Sequence, residues 1–352
     1  MPTASTLNIA LHNQWPGNNV YAYIIGQAID NNNALFLLRS DGKTPYYPSS
    51  PSSTGTALAQ DIAIPLGAQG NTVTATIPHL AGARIYFSVD ARLTFLLNPG
   101  PGLVEPSPTN NSDPNHAIQC PRYFWRHHPR LRGPHGARDT ICNALTAQTA
   151  ADGQGWSSLI VRHPTQGYNL RALSPNNGIL LNPNLFANYY EPYVAAVWAK
   201  YGSTQLAVNT QASFGTLDAT VQNNLLTFPN GVTFSRPSTR DVFSCSTGPF
   251  AVTGSEQGVL VPRLAAAFNR STLLSQPNQP AASGYYQTSP TNHYARIIHQ
   301  TELDGRGYAF PYDDVLANGE ADQSGSLASG SPSLLQVTVG GLGASAGGYG
   351  IA

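Results

Sequence analysis

The chain has 352 residues, a formal net charge of zero and only 10% charged residues. This neutrality gives no electrostatic basis for binding nucleic acid or an anionic membrane surface, and the length is sufficient for two domains. No apolar run reaches the length of a transmembrane helix. The first seven residues have neither the basic start nor the apolar core of a secretion signal, so no signal peptide is visible.

The first third of the chain predicts half-buried β-strands. Apolar and polar residues alternate over 7–11, 72–77 and 93–97, as expected for strands with one face in a core. Two loops rich in Pro, Ser and Gly, at about 40–58 and 98–115, separate these runs. The second loop carries Asp113 and Asn115.

The segment 116–138 differs in composition from the rest of the chain. It is rich in Arg, His and aromatic residues, and no Asp or Glu lies between Asp113 and Asp139. Three explanations are open: a nucleic-acid patch, a divergent loop, or an error in gene prediction. The neutral remainder of the chain argues against the nucleic-acid patch.

The middle of the chain predicts helices separated by short strands. Helices are expected over 188–201 and 261–274, with a third capped by Asp139. Strands are expected over 158–161 and 205–208. The last strand, 335–339, is expected to return to the first domain.

Residues 291–315 contain most of the candidate site residues. Thr291 or Asn292 is expected to cap a helix, and the spacing places His293, Arg296 and Gln300 on one face of it. Tyr308 to Phe310 is predicted to form a strand that runs into two adjacent carboxylates. Aromatic rings beside charged groups suit a neutral sugar, because rings stack on C–H faces and charged groups bind hydroxyls. The candidate substrate-binding residues are His293, Tyr294, Arg296, Tyr312, Asp313 and Asp314.

Alternative roles are open for several of these residues. Arg296 either binds sugar hydroxyls or holds Asp313 or Asp314 in place. His293 is either a sugar contact or a structural histidine. No Cys–His spacing predicts a metal site.

The segment 291–315 resembles the C-terminal signature of glycoside hydrolase family 64, the β-1,3-glucanases that release short laminari-oligosaccharides. Matching stretches precede it in the family's order, at 83–88, 112–115, 170–175, 197–201 and 267–274. The resemblance runs from about Leu7 to about Leu342 and breaks over 116–138. It implies a mainly β fold with an α/β part, of thaumatin-like architecture. A β-sandwich or barrel domain (1–137 and 306–352) and a mixed α/β domain (138–305) would flank a wide cleft.

This resemblance implies an inverting endo-β-1,3-glucanase that acts on laminarin or cell-wall glucan. It further implies an extracellular monomer without a cofactor, with Asp113 and Asn115 contacting glucan. The family's acid Glu and base Asp follow the loop at 112–115, yet 114–138 contains no carboxylate, so the catalytic residues stay unassigned. Because glycoside hydrolysis requires such a pair, the chain is expected to be inactive or impaired. The alternative is a non-catalytic β-1,3-glucan-binding protein.

Cys142 and Cys245 lie in stretches that otherwise follow the family, which implies one disulfide between them. Two buried free thiols are the alternative that the sequence leaves open. Two N-glycosylation motifs are also present, Asn110 to Ser112 and Asn269 to Ser271.

Overall fold

The computed structural model describes residues 6–15, 17–89, 92–106, 136–162, 167–252, 254–275, 281–301, 308–317 and 332–340. Contacts divide the chain into two compact units. The first comprises Met1–Asp139, Val161–Arg171 and Gly325–Ala352, and the second comprises Thr140–Ile160 and Ala172–Ser324. Residues 308–317 therefore lie in the second unit, whereas the sequence analysis grouped them with the β domain. Within the described ranges, no helix is both long and apolar enough to cross a membrane.

The chain forms short strands throughout and six helices of the α type within the part that the structure describes. The strands are β1 (Leu7–Gln14), β2 (Val20–Ala28), β3 (Ala34–Leu38), β4 (Pro45–Tyr46), β5 (Thr56–Ala57), β6 (Ile64–Pro65), β7 (Thr72–Ile77), β8 (Leu80–Val89), β9 (Leu96–Asn98), β10 (Gly102–Val104), β11 (Ile160–Arg162), β12 (Asn169–Ala172), β13 (Leu206–Asn209), β14 (Thr216–Gln222), β15 (Leu225–Thr227), β16 (Thr233–Phe234) and β17 (Leu334–Gly340). The helices are α1 (Gly136–Asp152), α2 (Pro175–Leu181), α3 (Glu191–Tyr201), α4 (Thr239–Ser244), α5 (Ser255–Asn269) and α6 (His293–Thr301).

Two sheets of the first unit share an apolar core. In one sheet β1 lies between β7, which is antiparallel to it, and β17, which is parallel. The pairing of β17 with β1 confirms that the last strand returns to the start of the chain. In the other sheet β2 pairs with β3, β6 and β8, and β4 extends the edge beyond β3. A smaller sheet contains β5, β9 and β10.

Strand β2 is buried on both faces, which explains its nearly continuous apolar sequence. Successive side chains of a strand point to opposite faces. Ala22 and Ile24 join the core shared with β1 and β7, whereas Tyr23 and Ile25 join a second cluster that contains Phe95. The apolar run is thus the sequence signature of a strand enclosed between two cores.

The second unit is built around buried aromatic rings beside a four-stranded antiparallel sheet, β13 to β16. Trp156 is fully buried and its ring lies 4.5 Å from the ring of Phe186. Tyr189 and Phe243 stack nearly parallel at 6.2 Å. The apolar face predicted for 188–201 is confirmed, because Tyr190, Val194, Val197, Trp198 and Tyr201 are all buried. Large rings of this kind bury much apolar surface, so this cluster contributes strongly to the stability of the unit.

Several predicted elements differ in the structure. The strand expected over 93–97 begins only at Leu96, and a 3-10 helix over Gly155–Leu159 means that the strand expected over 158–161 begins only at Ile160. Helix α5 begins earlier than expected, so that Pro262 lies inside it, where the buried neighbours Val261 and Leu264 hold the helix together. Asp139 lies within the first turn of α1 rather than capping it. Residues 308–314 form a turn in place of the predicted strand, because the Ala309 N–H donates to a side-chain carboxylate four residues later instead of to a neighbouring strand.

Candidate functional site

The helix that carries most candidate residues, α6, is anchored at its start by Asn292. The Asn292 Oδ1 accepts the Ala295 N–H at 3.0 Å, which is the hydrogen bond of an N-cap and confirms the predicted helix start. The Asn292 Nδ2 donates to Asn269 Oδ1 at 2.8 Å, at the end of α5. Both asparagines are fully buried, so α6 begins at a defined point on α5.

Arg296 organises a polar cluster between α6 and α1. Its Nε donates to His293 Nδ1 at 3.1 Å, its Nη2 to Gln148 Oε1 at 2.8 Å, and its Nη1 to Gln300 Oε1 at 3.1 Å. The shared helical face of His293, Arg296 and Gln300 is therefore confirmed. These partners are neutral groups of α1 and α6, so the structure does not use Arg296 to hold Asp313.

His293 is held in an electrically neutral state. Its side chain is only 12% exposed, and its ring lies edge-on to Trp156 at 5.3 Å. Burial lowers the pKa of His293 to about 4, with Arg296 acting in the same direction and Asp152 opposing both. The Nε2 lies 4.0 Å from Asp152 Oδ2, whose closer partners are Trp156 Nε1 and Gln148 Nε2. This arrangement suits a structural histidine.

Asp313 is enclosed by protein groups, with no exposed side-chain surface. Its Oδ2 accepts from His299 Nε2 at 2.8 Å and from the Ala309 N–H at 2.9 Å. Its Oδ1 lies 3.3 Å from Arg270 Nη2. The structure therefore gives this candidate sugar contact a buried ion pair, and places the neighbouring Asp314 on the surface.

Arg270 is the buried cation that matches Asp313, and its side chain is 5% exposed. Its Nη2 donates to the Asp313 carbonyl at 2.7 Å and its Nη1 to the Val315 carbonyl at 2.8 Å. The guanidinium also lies 4.3 Å above the Tyr285 ring. Burial is the largest single influence on the pKa of Arg270 and lowers it, but Asp313, Tyr285 and Tyr286 together outweigh burial and raise the pKa above its usual value.

The remaining candidates are distributed over three locations. Tyr312 is partly exposed on the turn at 308–314, and its N–H donates to Tyr308 Oη at 3.2 Å. Tyr294 is partly exposed on α6, and burial raises the pKa of its phenol to about 12. Asp113 and Asn115 lie outside the described residues. The structure thus places Tyr308, Tyr312 and Asp314 together on one turn, with Tyr308 a residue that the sequence analysis did not select.

Two glutamates outside this cluster are engaged by other protein groups. Glu191 accepts the Thr239 N–H at 2.9 Å and the Thr239 hydroxyl at 2.6 Å, which joins α3 to α4. Glu105 binds the Arg84 guanidinium and the Tyr86 hydroxyl. Such fully occupied carboxylates are poor candidates for an acid and base that must face a sugar.

The predicted disulfide between Cys142 and Cys245 is wrong: both are buried free thiols. Cys245 caps α4 with a φ of 57°, and its Sγ donates to the Val242 carbonyl at 3.3 Å. Asn269 Nδ2 lies 3.4 Å from the same sulfur. Cys245 is therefore engaged locally, at the junction of α4 and α5. Among the described residues, no group of three or more His, Cys, Asp and Glu could hold a metal ion.

Sequence reasoning missed Arg270, His299 and Asp152. Arg270 lies in the stretch 267–274 that carried part of the family resemblance, and that was the signal available for it. His299 follows Arg296 by three residues but turns to Asp313, a partner that helical spacing cannot indicate. Asp152 ends α1 and meets α6 only through tertiary packing.

Comparison with known proteins identifies relatives over most of the chain. The family model described as β-1,3-glucanase, glycoside hydrolase family 64, matches residues 5–121 and 126–339. The match includes most of 116–138 and omits only 122–125. The break in family resemblance is therefore narrower than the predicted break over 116–138. Two curated relatives, glucan endo-1,3-beta-glucosidases from Cellulosimicrobium cellulans and Arthrobacter sp. (strain YCWD3), are each 30% identical over 283 residues. These alignments cover 70% of this chain, which spans about half (50%) of each relative's length.

Solved structures agree with this assignment. A laminaripentaose-producing β-1,3-glucanase in complex with laminaritetraose is 30% identical, with a TM-score of 0.75 over 88% of this chain and 93% of that chain. A β-1,3-glucanase domain from Clostridium beijerinckii has a TM-score of 0.64 over 96% of this chain and 99% of that domain. Since the second is only 19% identical, it supports the fold alone. The fold is mainly β with some helices, as the sequence predicted.

Proposed function

This chain belongs to glycoside hydrolase family 64, the β-1,3-glucanases, and we propose that it binds β-1,3-glucan but hydrolyses it poorly or not at all. Family membership supports glucan as the ligand. One observation supports the proposed loss of hydrolysis. Residues 114–138, where family resemblance places the acid and base, contain no Asp or Glu. A thaumatin-like architecture, an extracellular location and a monomeric state belong to the same proposal.

The chemistry of glycoside hydrolysis explains why that absence argues against activity. A protonated carboxyl must donate to the leaving oxygen, and in an inverting enzyme a carboxylate about 6.5–9.5 Å away must activate water. Arg exchanges no proton near neutral pH, and His293, with its pKa near 4, is not protonated there. Glu105, Glu191 and Asp313 are bound to other protein groups. Their engagement argues against a replacement pair made from these carboxylates.

The test combines retention on glucan with product analysis. Purified protein is incubated with an insoluble β-1,3-glucan and with cellulose, a β-1,4-glucan control, and released sugars are separated by chromatography. A laminaripentaose-producing relative serves as the active control. We expect retention on the β-1,3-glucan alone, without released oligosaccharides. Release at the relative's rate would overturn the proposed loss of activity, and absence of retention would overturn glucan binding.

The second candidate function is glucan hydrolysis by a longer product of the same gene. The abrupt change in residue composition over 116–138 favours it. Sequencing of the expressed transcript across codons 110–145 tests it directly. A longer transcript that encodes a Glu and an Asp in this interval would make the product an ordinary family enzyme. A transcript that matches the present chain would leave the glucan-binding role.

A further inference from the structure

The turn at 308–314, taken together with the following Val315 as the 308–315 turn, has a backbone conformation that requires support. Tyr312 has a φ of 68°, in the left-handed region that bulky residues rarely adopt. Such conformations persist where surrounding contacts hold them, and they concentrate at functional sites. The Tyr312 N–H donates to the Tyr308 hydroxyl at 3.2 Å, and the Val315 N–H donates to the Tyr312 carbonyl at 3.1 Å.

Asp313 supports the turn from its buried side. Its carboxylate binds the Ala309 N–H at the beginning of the turn and His299 Nε2 on α6. Arg270, at the end of α5, binds the same side chain together with the carbonyls of Asp313 and Val315. Two helices therefore hold both ends of the turn through one buried carboxylate, and we name Arg270, His299 and Asp313 the clamp.

The outer side of the turn has the chemistry of a sugar-binding surface. Tyr308 is 42% exposed, Tyr312 is partly exposed and Asp314 is exposed. A ring that lies flat against a sugar and a carboxylate that accepts from its hydroxyls are complementary to a neutral glucan. Asp313 is buried between the partly exposed Tyr312 and the exposed Asp314, so one turn carries both the carboxylate of the clamp and the surface residues.

We propose that Arg270 and His299 are positioning residues that act through Asp313 to hold the 308–315 turn, so that Tyr308, Tyr312 and Asp314 contact β-1,3-glucan. This inference rests on the proposed glucan binding and adds to it where the glucan is held and what maintains that surface. Neither Arg270 nor His299 touches the sugar. Their effect on binding is transmitted by the backbone of the turn.

The experiment measures laminarihexaose affinity by calorimetry in the full chain, together with the melting temperature and hydrogen exchange of the Ala309 and Tyr312 amides. Tyr312→Gly should lower affinity about fivefold, because a stacking ring is lost. Its melting temperature should not fall, since Gly adopts positive φ without strain. The matched control, Tyr312→Phe, keeps the ring and should stay within about twofold of the original affinity.

Variants of the clamp separate positioning from general stability. His299→Ala should lower affinity about fivefold and accelerate exchange at the Ala309 and Tyr312 amides, because the turn loses one of its two anchors. His299→Gln keeps an N–H donor for Asp313 and should restore both properties. An unchanged affinity in Tyr312→Gly or His299→Ala would overturn the inference, as would failure of His299→Gln to restore affinity and amide protection.

The same measurements distinguish this inference from the proposed function. If the unmodified chain does not bind laminarihexaose, glucan binding itself fails and the inference falls with it. If the unmodified chain binds and the turn variants bind equally well, only the inference is overturned.

Discussion

Arg296 donates its Nε hydrogen to His293 Nδ1 at 3.1 Å, so a permanent cation points at a histidine that is nearly buried. A second positive charge on the imidazole would be repelled by the guanidinium and poorly solvated. The pKa of His293 is accordingly lowered to about 4. His293 is therefore an uncharged residue at the α1–α6 junction, and the free energy of unfolding depends on pH through it.

Stability should fall as the pH falls from about 6.5 to about 4. The pKa of His293 is about 4 in the folded chain against an ordinary value of 6.5, so in this interval the unfolded chain binds a proton that the folded chain does not. His293 therefore contributes stability that is fully present above pH 6.5 and is lost as the pH falls toward 4. The shift corresponds to about 3 kcal/mol at most, and we expect roughly 2 kcal/mol because solvent reaches part of the ring.

Urea unfolding at pH 7 and pH 4 in the original chain and in His293→Gln measures this contribution. The variant should lose roughly 2 kcal/mol less than the original chain over this pH interval. His79→Gln, at an exposed histidine of the first unit, is the control for the substitution itself and should change the free energy of unfolding at pH 7 by less than about 0.5 kcal/mol. Equal losses in the original chain and in His293→Gln would contradict the assignment.

Asp313→Asn should destabilise the fold by about 3 kcal/mol, because it leaves the Arg270 guanidinium buried without its anion. The adjacent exposed residue provides a matched control: Asp314→Asn should change the free energy of unfolding by less than about 0.5 kcal/mol. Chemical denaturation of both variants at pH 7 gives the comparison. Similar values for the two would show that the buried ion pair contributes little.

Cys142 and Cys245 should react with a thiol reagent only after unfolding. Both are buried, and burial raises the pKa of the Cys245 thiol, which disfavours the reactive thiolate. The third cysteine of the chain, Cys120, lies outside the described residues, so it is replaced by Ser to remove its signal. The folded Cys120→Ser variant should therefore show no rapidly reacting thiol, and in denaturant without reductant it should show both Cys142 and Cys245. Loss of both thiols from the denatured count would indicate a disulfide after all.

Asn269 should carry no glycan in folded protein, although it begins an Asn-X-Ser motif. The side chain has 0% exposure, and its Nδ2 donates to the Val242 carbonyl at 2.7 Å and to the Ala265 carbonyl at 3.0 Å. A glycan has no room there. Peptide mass analysis of protein expressed in a glycosylating host measures this, and a glycosylated Asn269 in folded material would contradict the packing around α5.

Asn269→Ala should also destabilise the fold by about 2 kcal/mol, because two buried carbonyls lose a donor.

Local patterns in the sequence were sufficient wherever a residue's partners lie within a few positions. The capping Asn292, the polar face of His293, Arg296 and Gln300, and the buried face of α3 all follow from helical spacing, because side chains three and four residues apart are neighbours on a helix. Family resemblance rested on short stretches of the same kind. Helical spacing and family resemblance both gave correct predictions, because each depends only on the order of residues along the chain.

Only the tertiary structure decided what the charged groups do. Arg270 precedes Asp313 by 43 positions, and Arg296 follows its partner Gln148 by 148 positions. At such separations no periodicity in the sequence predicts a contact. Burial encloses Asp313 in an ion pair with Arg270 and keeps His293 neutral, and the fold leaves Cys142 and Cys245 as separate thiols. The sequence by itself determined the family, the strands β1, β7 and β17, and the helical faces of α3 and α6. The assignment of Asp313 to the core and Asp314 to the surface required the packing of α5 and α6 beneath the turn, because solvation depends on neighbours in space.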